Sequence, residues 1–273
     1  MKHKIRHQQF GFTLVELMVA MMLGLFLMTG VIQLFLGSSQ TYSVVTSQSQ
    51  IQDTGRFSLY FITRSIRHAG YWPSLESPIT YEAHKVFPVD NAVIFGTNNS
   101  VNGSDDIYVR MLGSEDETIK TCQGVVITEA QVAIDRFYVE AASGTEKVSS
   151  LFCSSTIYDM DMSTLTINDP VSGTPVESVR TLLSGVEAMH ILYGVGSRHE
   201  VTHYINADSM TDWRDVRAIK IALLSTSNDD TSSAIKNSQT YTLLDESIVA
   251  DGSDGRPRMV FQQTVSMRNF VPN

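Results

Sequence analysis

Several common sequence signals are missing or scarce in this chain. Only two cysteines, Cys122 and Cys153, occur in 273 residues, which excludes a disulfide-rich scaffold, and their spacing fits no zinc motif. No Walker A, G-x-S-x-G or dinucleotide-binding fingerprint is present. The formal net charge of −9 does not favour a nucleic-acid-binding surface. We therefore expect no cofactor, no small-molecule substrate and no direct nucleic-acid partner.

Lysine and arginine are also absent between Arg6 and Arg56, and this gap contains a long apolar run. Residues 12–36 are about 25 residues with one formal charge, and as a helix at ~1.5 Å per residue they would span about 37 Å. The hydrocarbon core of a bilayer is about 30 Å thick, so this run predicts one transmembrane helix. Because Lys2 and Lys4 join Arg6 before the run, the positive-inside rule places the N-terminus in the cytoplasm.

The apolar run contains one charge, Glu16, and this residue helps to decide between three interpretations of the segment. A cleavable secretory signal has a shorter apolar region and a small-residue cleavage site after it, and neither is found here. A simple membrane anchor leaves Glu16 unexplained, because a charged side chain in hydrocarbon costs roughly 2.5–3.5 kcal/mol. A prepilin signal has a basic leader that ends in glycine, then an aromatic residue, then an apolar helix with glutamate at its fifth position. Gly11, Phe12 and Glu16 match these three features.

The segment "GFTLVELMVA" therefore resembles the N-terminal motif of the type IV pilin and pseudopilin family. The resemblance implies that prepilin peptidase cuts between Gly11 and Phe12 on the cytoplasmic face, and that Phe12 becomes an N-methylated terminus. It also implies that Glu16 pairs with the terminal amine of a neighbouring subunit during assembly. A buried charge is tolerated when it is paired, and removal of one partner costs about 3–5 kcal/mol.

The helical pattern continues beyond the apolar run. Residues after position 50 place apolar or small side chains on one helical face, and Gly70 fits a helix C-terminus. We predict one long helix over about 12–68, with its first half in lipid and its second half packed on a sheet. The residues of the predicted packing face are Ile51, Gly55, Leu59, Ile62 and Ile66.

Short strand-like runs replace the helical pattern after Tyr71. In the run 216–224, apolar residues occupy both alternating faces, which predicts a strand covered on both sides. No repeated βα alternation occurs, so the predicted fold class is α+β, with a long N-terminal helix packed on a C-terminal antiparallel β-sheet in a pilin-like arrangement. Strands are predicted at 91–96, 106–112, 132–139, 163–167, 187–195, 216–224 and 258–270, and long polar loops at 97–105, 140–149, 168–179, 196–213 and 225–240.

A narrower resemblance, to PilW-type minor pilins, runs over most of the chain. It implies a minor pilin that takes part in initiating type IV pilus assembly and supports twitching motility, adhesion or DNA uptake. The implied partners are prepilin peptidase, other minor pilins, pilus assembly proteins and the inner membrane. A minor pseudopilin of a type II secretion system is the alternative. The segments that carry the resemblance are "TGRFSLYFITRSIRHAGYW", "GSDDIYVRML", "LLSGVEAMHILYGV", "WRDVRAIKIALL" and "GRPRMVFQQTVSMRNF".

The expected location is the bacterial inner membrane, crossed once, with a periplasmic globular domain, and afterwards the pilus. In the oxidising periplasm Cys122 and Cys153 are predicted to form a disulfide, with two separate thiols as the alternative. The bond would close a loop of about 32 residues, which contributes roughly 3–4 kcal/mol in the chain-entropy account. The predicted organisation is a leader at 1–11, a transmembrane segment at 12–36, an amphipathic helical continuation at 37–70 and a β-rich domain at 71–273.

One catalytic pattern and two acidic turns remain to be weighed. "HEVTH" matches H-E-x-x-H, in which His199 and His203 would bind zinc and Glu200 would act as general base on a helix. Its β-branched and glycine-rich surroundings favour a strand or loop, so a membrane-anchored zinc hydrolase is a remote alternative and we predict no enzyme. The acidic turns at 227–230 and 251–256 are conceivable calcium sites but lack EF-hand spacing.

Overall fold

The structure is a computed structural model that describes most of the chain after the first ten residues. The described residues form two compact units, one up to Thr46 and one from Ser47 onward. A single helix, α1 (Leu14–His68), contributes to both units. The described ranges are 11–71, 86–143, 148–161, 166–167, 178–197, 200–228, 238–250 and 254–269.

Helix α1 is continuous over 55 residues and confirms the predicted long helix, with its start two residues later than predicted. At its end, Gly70 adopts the left-handed conformation with φ of +66°. A side chain there would lie 2.6 Å from the carbonyl oxygen of Asn269, and the Gly70 N–H donates to the carbonyl of Arg110 at 3.1 Å. Glycine therefore ends the helix where the chain meets the sheet.

The C-terminal half of α1 buries the predicted face. Ile62 and Ile66 are fully buried, and Ser65 and Thr63 are also buried beside them. Gly55 permits a close approach, because a Cβ atom at this position would lie 2.3 Å from the ring of Phe261. The predicted face of Ile51, Gly55, Leu59, Ile62 and Ile66 is buried throughout.

The strands form antiparallel sheets, as predicted. The first group is β1 (Ile94–Val101), β2 (Ser104–Leu112), β3 (Gln131–Glu140), β4 (Ser150–Asp161), β5 (Thr166–Ile167) and β6 (Ser178–Ser184). The second group is β7 (Val186–Gly196), β8 (Val201–Ile205), β9 (Val216–Thr226), β10 (Thr240–Leu243), β11 (Glu246–Val249) and β12 (Arg258–Ser266). Two single-turn 3-10 helices, Ala207–Ser209 and Trp213–Asp215, precede β9.

Among the described residues, one sheet has six strands and another has four. The six-stranded sheet has the order β1-β2-β3-β4, with β5 and β6 both pairing with β4, and the four-stranded sheet has the order β12-β9-β7-β8. Strands β10 and β11 form a separate two-stranded pair. The main core combines apolar side chains from α1 with those of both larger sheets. A second cluster contains Ala222 and Leu224, which confirms that β9 is covered on both faces.

The sequence-based loop predictions are partly wrong. Strand β1 continues to Val101, inside the predicted loop 97–105, because Asn102 and Gly103 turn the chain tightly with φ of +52° and +73°. Such a pair of positive φ angles suits a two-residue hairpin. Strands β4, β6, β8, β10 and β11 were not predicted, because they are short or rich in polar residues. Residues 163–165, 168–177 and 229–237 lie outside the described part of the chain.

Candidate assembly site and supporting domain

The first turn of α1 is fixed by a side-chain cap. Residues 11–13 are not helical, and the ring of Phe12 is 83% exposed. The hydroxyl of Thr13 accepts a hydrogen bond from the N–H of Glu16 at 3.3 Å, and the carbonyl of Thr13 accepts from Leu17 at 3.2 Å. Thr13 is therefore the N-cap of the helix, and Glu16 is its third residue, in the T-x-x-E spacing of a capping box.

The carboxylate of Glu16 is exposed in this first turn. A negative charge there is favourable, because the N–H groups of the turn point toward it and the helix dipole is positive at this end. Within residues 11–71, 86–143 and the other described ranges, the structure gives Glu16 no ion-pair or hydrogen-bond partner for its carboxylate. Among the described residues, the cap thus holds a carboxylate without a partner at the start of an apolar helix.

The apolar run that follows is exposed along its length. By its length and composition, the helix is long and apolar enough to cross a membrane. The Thr29 hydroxyl in this run donates to the carbonyl of Leu25 at 2.9 Å, and the Thr41 hydroxyl just after it donates to that of Gly37 at 2.8 Å. Internal satisfaction of polar groups is what a helix in hydrocarbon requires. This segment is therefore suited to membrane anchoring.

Two family models match the chain. The family described as "Prokaryotic N-terminal methylation motif" matches residues 6–32, and the family described as "Type IV Pilus-assembly protein W" matches residues 136–269. The two matches support a PilW-type minor pilin of the type IV pilus. They point to a structural pilin and not to an enzyme. Among curated proteins, none matches the chain.

A basic cleft lies on the part of α1 that belongs to the second unit of this minor pilin. Its volume is about 430 Å³. Tyr60 and the neighbouring Phe57 are more than half exposed. Burial, together with the charge of Arg64, lowers the pKa of His68. The cleft is lined by Arg56, Tyr60, Thr63, Arg64, Arg67, His68 and Gln263. It combines positive charge with aromatic surface, a combination suited to protein contacts.

The predicted disulfide between Cys122 and Cys153 is present, with a Cα–Cα distance of 6.5 Å. Sequence reasoning missed the groups around it. Asp135 of β3 lies against the disulfide and is fully buried. The available signal was an aspartate in the middle of a mostly apolar strand pattern, "VAIDRFYV".

The H-E-x-x-H pattern does not form a zinc site of the expected kind. Val201–Ile205 is strand β8, where His203 pairs with Val195 of β7, so the helical geometry of the motif is absent. Glu200 and His203 are exposed, and the His203 ring bonds to the hydroxyl of Thr202 at 2.9 Å. His199 lies outside the described residues. In the described ranges, the one group of three potential metal ligands is Cys122, Asp135 and Cys153, whose sulfurs are bonded to each other.

In its described part, the acidic turn at 251–256 binds an arginine side chain. The carboxylate of Asp254 accepts two hydrogen bonds from Arg258, both at 2.9 Å. Arg258 also binds Glu187 of β7, at 2.6 and 2.9 Å. The Asp254 carboxylate is therefore bound by the Arg258 guanidinium and is not arranged to bind a metal cation. Residues 251–253 and 229–230 lie outside the described part.

Proposed function

We propose that this minor pilin is processed between Gly11 and Phe12 by prepilin peptidase and that the new N-terminus at Phe12 is methylated. Glu16 then pairs with the terminal amine of a neighbouring subunit as both helices leave the bilayer. The observation that carries this proposal is the exposed Glu16 in the capped first turn of an apolar helix, inside a matched prepilin methylation motif. A paired carboxylate loses much of the cost of its burial, so pairing would recruit subunits in one register.

The proposed organisation follows the sequence. The leader is 1–11, the membrane segment is 12–36, its helical continuation is 37–70, and the β-rich domain is 71–273. The helix crosses the inner membrane once, with the N-terminus in the cytoplasm and the domain in the periplasm, before the subunit enters the pilus. The Cys122–Cys153 disulfide supports this orientation, because disulfides persist in oxidising compartments.

The proposed role is to take part in initiating pilus assembly together with other minor pilins. Effects on twitching motility, adhesion or DNA uptake would follow from altered piliation. The basic cleft around Arg56 offers a lateral contact surface to other pilins, since it is exposed and carries one sign of charge. The match to a pilus-assembly family favours the pilus over a type II secretion pseudopilus. Deletion should reduce surface pili and leave type II protein secretion unchanged.

The central test replaces Glu16. Glu16→Ala should insert into the membrane and lose its leader as the wild type does, yet be missing from the sheared pilus fraction. Glu16→Gln should behave similarly, because it keeps the shape but not the charge. Gln33→Ala is the matched control, since it removes a polar, uncharged side chain from the same exposed segment. Normal incorporation of Glu16→Ala would refute the pairing.

The lateral surface has a separate test. Arg56→Glu reverses a charge in the cleft, and Arg180→Glu reverses an exposed charge on β6, away from α1. Co-purification with co-expressed minor pilins should fall with Arg56→Glu and be retained with Arg180→Glu. Equal retention by both variants would remove the cleft from the assembly contact, without bearing on Glu16.

A further inference from the structure

A buried carboxylate and a hydroxyl lie beside the disulfide. Ser155 of β4 pairs directly with Asp135 of β3, and its hydroxyl donates to Asp135 Oδ1 at 2.6 Å. The same hydroxyl oxygen lies 3.0 Å from Cys122 Sγ and 3.7 Å from Cys153 Sγ. The hydroxyl therefore donates to the carboxylate while its oxygen lies in contact with both sulfurs.

The second carboxylate oxygen is also held in place. Asp135 Oδ2 accepts from the backbone N–H of Cys122 at 2.7 Å and from the Ser65 hydroxyl of α1 at 3.1 Å. Burial is the main cause that raises the pKa of Asp135 to about 6, while these hydrogen bonds and the charge of Arg64 act in the opposite direction. A carboxylate with this pKa is still ionised at neutral pH and can accept a proton.

The two sulfurs differ in access. Cys153 is fully buried, whereas Cys122 is partly exposed at the start of a loop. In the reduced protein an external disulfide can therefore reach Cys122 first. Cys153 must attack afterwards from inside the domain, where its sulfur is shielded from solvent and its thiol proton needs another acceptor. The reactive species is the thiolate.

The location of Asp135 needs an explanation beyond packing. A buried charge is costly unless it is paired, and an apolar side chain of similar size would avoid that cost. One hydrogen bond of Asp135 goes to Ser65 of α1, and its other two lead to the two segments that carry the cysteines, through the Cys122 amide and through Ser155. The carboxylate therefore lies where the chemistry of disulfide formation takes place.

We propose that Ser155 and Asp135 form a proton-acceptor relay that accelerates closure of the Cys122–Cys153 disulfide. The oxidant is an external disulfide, either a dithiol–disulfide oxidoreductase or a small-molecule disulfide. This activity concerns maturation of the subunit and does not depend on the assembly role of Glu16.

The reaction has two balanced steps. The Cys122 thiolate attacks the external disulfide, forms a mixed disulfide and releases one thiolate of the oxidant. The Cys153 thiol then gives its proton to the Ser155 oxygen as the Ser155 proton passes to Asp135. The Cys153 thiolate attacks Cys122 Sγ and displaces the second thiolate. Asp135 then returns its proton to the solvent. Both released thiolates take up protons from the solvent. The external disulfide is reduced to two thiols, and the two cysteines are oxidised.

The experiment follows closure in the full chain, purified in detergent micelles and reduced beforehand. Oxidised glutathione is added, samples are quenched with an alkylating reagent at intervals, and mass spectrometry separates reduced, mixed-disulfide and closed species. A free thiol of pKa about 8.5 is only a few per cent thiolate at pH 7. Asp135→Asn and Ser155→Ala should therefore slow decay of the mixed disulfide by about tenfold or more at pH 7. The difference should shrink by pH 9, where the thiol ionises unaided.

Matched controls separate proton transfer from structural support. Asp159→Asn removes an exposed carboxylate of the same strand pair, and Ser154→Ala removes the buried hydroxyl next to Ser155. Both should close at the wild-type rate. If Asp135→Asn does not fold in the reduced state, the test of the relay rests on Ser155→Ala alone. This variant keeps the hydrogen bonds of Asp135 to Ser65 and Cys122. Wild-type closure rates in Ser155→Ala, or an equal loss at pH 7 and pH 9, would overturn the relay.

Discussion

The hydroxyl of Ser65 in α1 donates a hydrogen bond to the carboxylate of Asp135 in β3 across 3.1 Å. Both side chains are buried, so this bond ties the helix to the middle of the six-stranded sheet. Through Cys122 and Ser155 the same carboxylate also reaches the disulfide. The protonation state of Asp135 therefore affects a junction between the helix, the sheet and the disulfide-bonded loop.

The first prediction concerns stability and pH. The pKa of Asp135 is raised from 3.8 to about 6 in the folded protein, so the folded state holds this proton more tightly than the unfolded state. The contribution of Asp135 to stability is then greatest below about pH 4 and is lost as pH rises to about 6. A pKa difference of about 2 corresponds to roughly 3 kcal/mol in the free energy of unfolding.

Urea unfolding between pH 4 and pH 7 checks this prediction against Asp135→Asn, whose side chain does not titrate. Relative to that variant, the wild type should lose stability as pH rises through this window. Asp159→Asn, at an exposed position, should keep the wild-type pH profile. A wild type that gains stability relative to Asp135→Asn over the window would contradict the assignment.

The second prediction concerns the contact between Gly55 and Phe261. A methyl group on Gly55 would enter the space of the Phe261 ring, so Gly55→Ala should lower the free energy of unfolding by about 1–3 kcal/mol. In a Phe261→Leu background the same change should cost much less, because the ring is gone. Chemical unfolding of the four proteins in a double-mutant cycle measures this coupling.

Gly37→Ala is the control for the helix itself. A Cβ atom there meets no other atom within 4 Å, so the change should be neutral or stabilise the helix by up to about 1 kcal/mol. Equal costs for Gly55→Ala with phenylalanine and with leucine at position 261 would show that the ring is not the obstacle.

The third prediction concerns Arg258, which binds Glu187 and Asp254 with paired hydrogen bonds to each. Lysine cannot reproduce this planar fork, so Arg258→Lys should destabilise the domain by about 1–3 kcal/mol despite keeping the charge. Arg214→Lys changes a more exposed pair with Asp212 and should have a smaller effect. Thermal unfolding compares the two, and an equal shift in both variants would argue against a special role for the buried fork.

Regular features were predictable from the sequence. The periodic spacing of Ile62 and Ile66 located the buried helix face, and alternation in β9 predicted its two covered faces. The prepilin motif that contains Gly11, Phe12 and Glu16 was recognised from the sequence, and a family model matches residues 6–32. The N-cap at Thr13 could also have been predicted from the sequence, because Thr13 and Glu16 have capping-box spacing.

The site around Asp135 was not predictable in the same way. Its groups come from α1, the loop that carries Cys122, β3 and β4, and only the register between Asp135 and Ser155 brings them together. No local pattern encodes such a register. Short strands such as β10 and β11 were missed for a related reason, since four residues give too little alternation to be recognised.

The contacts of α1 with β12 and the residues just after it restrict when α1 can dock during synthesis of the protein. Thr63 donates to Gln263 at 3.3 Å across 200 positions of sequence, and Asn269 donates to the carbonyl of Arg67, also at 3.3 Å, across 202 positions. The amphipathic half of α1 is synthesised early, yet its partners in β12 and just after it are synthesised some 200 residues later. The helix can complete its docking only after translation has passed residue 269. Complete docking of α1 therefore requires that the chain has been synthesised through residue 269.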